Sequence, residues 1–138
     1  PAMKETYRFI ESTDPSIPHL AIQLTHMLDS YMIWVGTTTL PEHDVKYAPV
    51  QGSLCKDWSC AMPPRFAGIP GPATSIYRSS ASDHSLSIAQ RLAQRFKKQI
   101  FLSLDLPSSI MSLGQGPQLL LRAEKALLEA LKAAEATP

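Results

Sequence analysis

The sequence predicts an α+β domain: a largely antiparallel sheet of about six strands, with two helices on one face and a partner subunit covering the other. Three observations carry this. Most strand-like segments precede most of the helix-like ones. Only two stretches have helical apolar spacing, and both lie late in the chain. The segment Tyr31–Gly36 (YMIWVG) is apolar on both faces, which no single helical layer can cover. At 138 residues the chain suits one domain, 1–138, with Pro1-Ala2 read as a cloning remnant before Met3. Hydrophobic residues make up 44% and charged residues 18%, a globular balance, and a formal net charge of +1 gives no global pull toward nucleic acid or anionic membranes. No apolar run approaches the roughly 20 residues that span a bilayer, and no secretory pattern opens the chain. Two cysteines, Cys55 and Cys60, are too few for a disulfide scaffold, so a cytosolic or nuclear location is expected.

Thr6–Glu11 alternates apolar and polar residues and reads as a strand, followed by a loop at Asp14-Pro15 and Pro18. Ala21–Leu28 alternates as well, with Ile22, Leu24, His26 and Leu28 on one face. Asp29-Ser30 then makes a tight connection to Tyr31–Gly36, completing a hairpin. From Leu40 to Pro72 prolines punctuate the chain and no apolar period recurs. This is expected to be a long surface insertion, ordered only in part, with residues 40–57 as its flexible section and a short strand near Trp58–Met62. Ala73–Arg78 is a further strand.

A helix over 83–98 follows, capped by Ser82 or Asp83, with Leu86, Ala89, Leu92, Ala93 and Phe96 as its buried stripe and Ile88 on the flank. Gln99–Leu104 is again a strongly apolar strand. Gly116-Pro117 starts a second helix, since proline suits the first helical position. Leu120, Ala123, Leu127, Ala130 and Ala134 form its buried face, and Lys125, Glu129 and Lys132 point to water.

No segment carries recognisable catalytic chemistry. Cys55 and Cys60 with His43 lack the second close ligand pair of a zinc site, so no metal is expected. No G-x-S-x-G elbow places a serine beside a base, and His26 reads as a satisfied, semi-buried histidine. Gly114-Gln115-Gly116 lacks the third glycine and the Lys-Ser/Thr of a phosphate loop, and Pro117 removes an amide, so no cofactor is expected. Arg91, Arg95, Lys97 and Lys98 give the first helix a basic end. It reads either as a solvated terminus or as an electrostatic patch for an acidic partner. An alternative function, a small nucleic-acid-binding α/β module, would rest on the same four cations.

The sheet's second face points to binding. Met32 and Trp34 oppose Tyr31, Ile33 and Val35, and Phe101 opposes Ile100, Leu102 and Leu104. An uncovered face bearing a Trp, a Met and a Phe forgoes several kcal/mol at roughly 25 cal/mol per Å² of apolar area. Such a patch marks an interaction site; the alternative, that the Leu40–Pro72 insertion folds over this face, is disfavoured by the low apolar content of that segment. The expected interface is therefore Met32, Trp34 and Phe101, with Arg91, Arg95, Lys97 and Lys98 as a basic accessory.

The same segments carry a family resemblance. LDSYMIWVG (Leu28–Gly36) followed by SIAQRLAQRFKKQIFLSLDL (Ser87–Leu106) is similar to the proteasome assembly chaperone 4 family. The shared features are Trp34-Val35-Gly36 ending a strand, Ala89–Ala93 within a helix, and Lys98–Leu104 as the strand directly after it. With Cys60-Ala61-Met62 and Thr74–Tyr77 the likeness covers about two-thirds of the chain. Leu40–Trp58 departs from the family pattern in its length and proline content. The resemblance implies a non-catalytic chaperone without cofactors. It would pair with the sister assembly chaperone 3 and bind α-type subunits of the 20S proteasome, chiefly the fifth, while the α-ring forms.

Overall fold

The computed structural model describes residues 3–53, 56–78, 84–107, 109–110, 114 and 116–136. Six strands make one sheet: β1 (Lys4–Ile10), β2 (His19–Met27), β3 (Ser30–Thr38), β4 (Asp57–Ala61), β5 (Ala73–Arg78) and β6 (Gln99–Asp105). Their spatial order is β1-β2-β3-β6-β4-β5. The α+β class and the strand count agree with the sequence reading. The sheet is largely antiparallel, as expected, with one parallel pair, β3 and β6. The cause is the helix between β5 and β6. It carries the chain back along the sheet, so β6 starts at the same end as β5 and pairs antiparallel with β4 between them.

The helices that bear on the sheet are α1 (Ala48–Gln51), α2 (Ser85–Phe96) and α3 (Gly116–Ala136); α1 is a single turn that continues a 3-10 helix over Glu42–Tyr47. α2 and α3 lie together on one sheet face. Beneath them the side chains of Leu20, Ile22, Leu24, Ile33, Val35, Ile100, Leu102 and Leu104 are buried at the strand period of two, and Ile88, Leu92, Leu119, Leu127 and Leu131 meet them from above. Each such side chain contributes about 1.5–3 kcal/mol on burial. The stripes are rotated slightly from the expected ones. Ile88 is central in α2 while Leu86 is half-buried. In α3 the buried residues are Leu119, Ala126 and Leu131 along with Ala123, Leu127 and Ala130, and Leu120 and Ala134 sit at the edge. α3 packs against both α2 and the sheet, so its apolar face is broader than one stripe. Lys125, Glu129 and Lys132 are exposed, as expected.

The expected α2 caps, Ser82 and Asp83, lie outside the described residues. The free amides at the start of α2 are met from a distant strand: Asp57 Oδ2 accepts the backbone N–H groups of His84 (2.7 Å) and Ser85 (3.1 Å). Asp57 Oδ1 accepts the Ser85 hydroxyl at 2.6 Å. Because that hydroxyl proton is committed to the carboxylate, the Ser59 hydroxyl donates to Ser85 Oγ at 2.5 Å. Asp57, Ser59 and Ser85 are all buried.

A second polar cluster fixes the far end of α3. Glu135 Oε2 accepts the Tyr31 hydroxyl (2.5 Å) and the Lys98 ammonium (2.7 Å), and Lys98 also lies 5.2 Å from the centre of the Tyr31 ring. His26 packs edge-on against Tyr31 and its Nε2 meets the Thr6 hydroxyl at 3.3 Å, the satisfied histidine expected from the sequence. The Lys98 and Tyr31 hydrogen bonds hold the Glu135 carboxyl below its ordinary range, and the Glu135 partner raises Lys98. Desolvation first, then Lys4 and Lys98, lowers His26. Both depressed groups bind protons more readily unfolded than folded, so stability falls on acidification below the ordinary His26 value of 6.5 and again below the ordinary Glu135 value of 4.5. The raised Lys98 contributes fully below its ordinary 10.5 and loses that contribution only above it. Urea midpoints measured against pH should therefore show Glu135→Gln flattening the lowest acid step, with a cost near neutrality of about 1 kcal/mol or less because the pair is solvated. An unchanged acid limb would remove Glu135 from this role.

Candidate partner interface

The face away from α2 and α3 is built by the alternate residues of the same strands. Registers align Trp58, Ser103, Trp34, Gln23 and Tyr7 in one row, and Cys60, Phe101, Met32 and Thr25 in the next. The two rows differ in cover. Trp34 is only 5% exposed, since it packs with Ala21 and Ala48 and with half-buried Leu40 and Val45. The expectation that Trp34 lies on an uncovered face is corrected here, in favour of the alternative that the insertion folds over it. The 3-10 helix and α1 form a strap across this half of the face. The sequence hid this because the strap needs only Leu40, Val45 and Ala48, spaced without a long period.

The strap is held by shape and by a carboxylate. Asp105 Oδ2, at the end of β6, accepts the Ser53 N–H at 2.6 Å, and Lys56 lies 3.8 Å from its other oxygen. Gly36 and Gly52 flank the indole, and a Cβ at either would overlap it. The Trp34 indole N–H is buried without an acceptor among the described residues, so apolar packing must carry this contact.

The other half remains partly open. Met32, Phe101, Trp58 and Cys60 are half-buried, and Tyr77, opposite Trp58 on edge strand β5, is 50% exposed. Met32 and Phe101 stand directly opposite each other in the parallel β3/β6 pair. The structure thus brings two of the three expected apolar residues together at the open half and adds Trp58 and Tyr77. The sequence reading passed over these two because they sit on strands bounded by the proline-rich segment. Alternation within Asp57–Ala61 was the available signal.

The four cations do not act as one patch. Arg91 forms a two-pronged pair with Glu124 of α3, Nε at 2.9 Å and a terminal nitrogen at 2.7 Å. Lys98 is engaged by Glu135. Lys97 caps α2 in a left-handed conformation with φ 58°, and Arg95 lies over the Phe96 ring at 6.0 Å. The nucleic-acid reading therefore loses two of its four cations to pairing inside the chain. Of the metal candidates, Cys55 lies outside the described residues. Cys60 accepts a contact from Gln99 at 3.3 Å, and no group of three or more ligating side chains gathers among the described residues.

The comparisons with known proteins bear on the family and the fold. The family model described as proteasome assembly chaperone 4 matches residues 19–106, from the start of β2 to just beyond β6. No curated protein sequence matches the chain. Among solved structures, a chain from the crystal structure of a novel chaperone complex for yeast 20S proteasome assembly shares the fold. Its TM-score is 0.65 at 16% identity, over 95% of this chain and 96% of that one.

Proposed function

The chain belongs to the proteasome assembly chaperone 4 family, and from that premise we propose that it pairs with the sister assembly chaperone 3 through the open half of its sheet and holds α-type subunits, chiefly the fifth, while the α-ring forms. A role as a chaperone in proteasome assembly follows from membership. The observation that carries the pairing is the half-covered face. The strap already buries Trp34, yet Met32, Phe101, Trp58 and Tyr77 stay partly exposed next to it, as a contiguous apolar surface on the sheet. Stacking a second sheet on these residues would leave α2 and α3 outermost on this side of the pair. The chemistry is binding only. Release follows from competition for the same surface as later subunits arrive, with no nucleotide required. The site of action is proposed to be the cytosol or nucleus.

Co-expression with the sister chaperone, followed by sedimentation of the purified pair, tests this reading. Phe101→Asp and Met32→Asp place a charge at the centre of the contact and should each weaken pairing by about 2–4 kcal/mol, roughly 30- to 1,000-fold. Both positions are half-buried, so circular dichroism should show the helices retained. Unchanged pairing in both variants would place the sister elsewhere.

A further inference from the structure

We propose that the outer surface of the helical layer is a second docking surface, whose groove between α2 and α3 takes an acidic segment of an α-type subunit with an apolar residue at its centre. This rests on the chaperone reading above and assigns its client to a face opposite the sister's. The first observation is a charge asymmetry that the net value hides. Ser85–Phe96 with Lys97 and Lys98, together with Gly116–Ala136, hold seven basic and three acidic residues, net +4. The rest of the chain holds six basic and nine acidic residues, net −3. The near-neutral chain is therefore a polar one, basic across the helices and acidic elsewhere, and a field of this kind steers association with an acidic surface.

The second observation is the groove. A cavity of about 350 Å³ opens between α2 and α3, lined by Arg91, Leu92, Gln94, Arg95, Glu124 and Leu128. Its floor is apolar, since Leu92 is fully buried and Leu128 half-buried. Its rim is charged, with Arg95 exposed and engaged with no carboxylate among the described residues. The two-pronged Arg91–Glu124 pair bridges the helices and fixes their spacing. On the outer side of α3, Leu121 is 56% exposed, and Lys125 stands one helical turn beyond it. An apolar floor with Arg95 at its rim, and exposed Lys125 beyond the lining on α3, suits a segment that brings carboxylates on either side of one apolar side chain. It suits nucleic acid less well. The one aromatic of this layer, Phe96, is half-buried under Arg95 rather than presented for stacking.

The test uses the co-purified pair with the sister chaperone and purified α-type subunits. Arg95→Glu combined with Lys125→Glu reverses two exposed charges and leaves the Arg91–Glu124 bridge in place. Sister pairing and thermal stability should stay as in the parent. Capture of the α-type subunit should weaken by about tenfold or more, and the parent's affinity should fall as NaCl is raised from about 0.05 to about 0.3 M. Capture within about twofold of the parent would overturn the proposal, as would loss of sister pairing, which would assign the helices to the sister. If the parent pair captures no α-type subunit, the chaperone reading fails and the proposed occupant with it. Tighter binding of a labelled single-stranded RNA than of any α-type subunit, lost in the double variant, would assign the surface to nucleic acid and overturn the proposal too.

Discussion

Replacing Trp34 by alanine should cost the fold about 3–5 kcal/mol, the range for removing a large aromatic from a packed core. That is a large fraction of the roughly 5–15 kcal/mol that holds a domain together. The reasoning is specific to this site. The indole is the largest side chain in the small second core and joins β3 to the strap through Ala48, Leu40 and Val45, apolar contacts that the Asp105–Ser53 hydrogen bond at the strap's end does not replace. Aspartate at the same position should be worse, since it would bury an unpaired charge. A control is available on the strap itself: Val50 is 82% exposed, so Val50→Asp should shift the urea midpoint little. Limited proteolysis adds a second readout. Cleavage within 40–53 should accelerate in Trp34→Ala well before the sheet and helices unfold. A variant as stable as the parent, with a strap equally resistant, would show that Trp34 does not anchor it. This outcome bears on function too. Loss of sister pairing in a Trp34 variant would follow from a disordered strap and would not identify Trp34 as an interface residue.

Asp57→Ala should be of comparable size, about 3 kcal/mol or more. It deletes the acceptor for two helix-start amides and one hydroxyl, the two Ser85 donors buried and the His84 amide partly so, and each unsatisfied donor costs about 1–3 kcal/mol if water cannot reach it. Loss of a helix cap alone costs about 1 kcal/mol. Asp57→Asn separates the contributions. An amide oxygen can still accept part of the set, so Asn should recover part of the loss, while Ser85→Ala, which removes one hydroxyl and frees one carboxylate oxygen, should cost less than Asp57→Ala. Hydrogen exchange at the first turn of α2 would report the effect directly. If Asp57→Ala exchanged there no faster than the parent, the carboxylate would not be the cap of this helix.

The two sites show why some of the structure was legible in the sequence and some was not. Tyr31–Gly36 and Gln99–Leu104 declare themselves as buried strands because their apolar character is continuous, and they do lie side by side at the centre of the sheet. α2 and α3 declare themselves by their spacing. In contrast, the cap of α2 comes from Asp57, 28 residues before Ser85, and no local pattern points to it. The strap escaped for a similar reason: three small or branched apolar residues among prolines look like loop, and only the indole they meet gives them a core. The basic helix end was legible as composition, but its pairing was not, because Glu124 and Glu135 approach Arg91 and Lys98 from another helix.

Local chemistry alone thus determined the α+β class, the two amphipathic helices, the two-faced central strands and the family likeness, since each is written in the period or order of neighbouring residues. Tertiary structure alone decided how the second face is shared. Burial of Trp34 depends on a strap brought back across the sheet and pinned by Asp105, and exposure of Met32, Phe101 and Tyr77 depends on that strap ending where it does. The physical reason is common to both. Contacts between residues far apart in the chain are set by which surfaces can reach one another, and this is a property of the folded topology rather than of any segment.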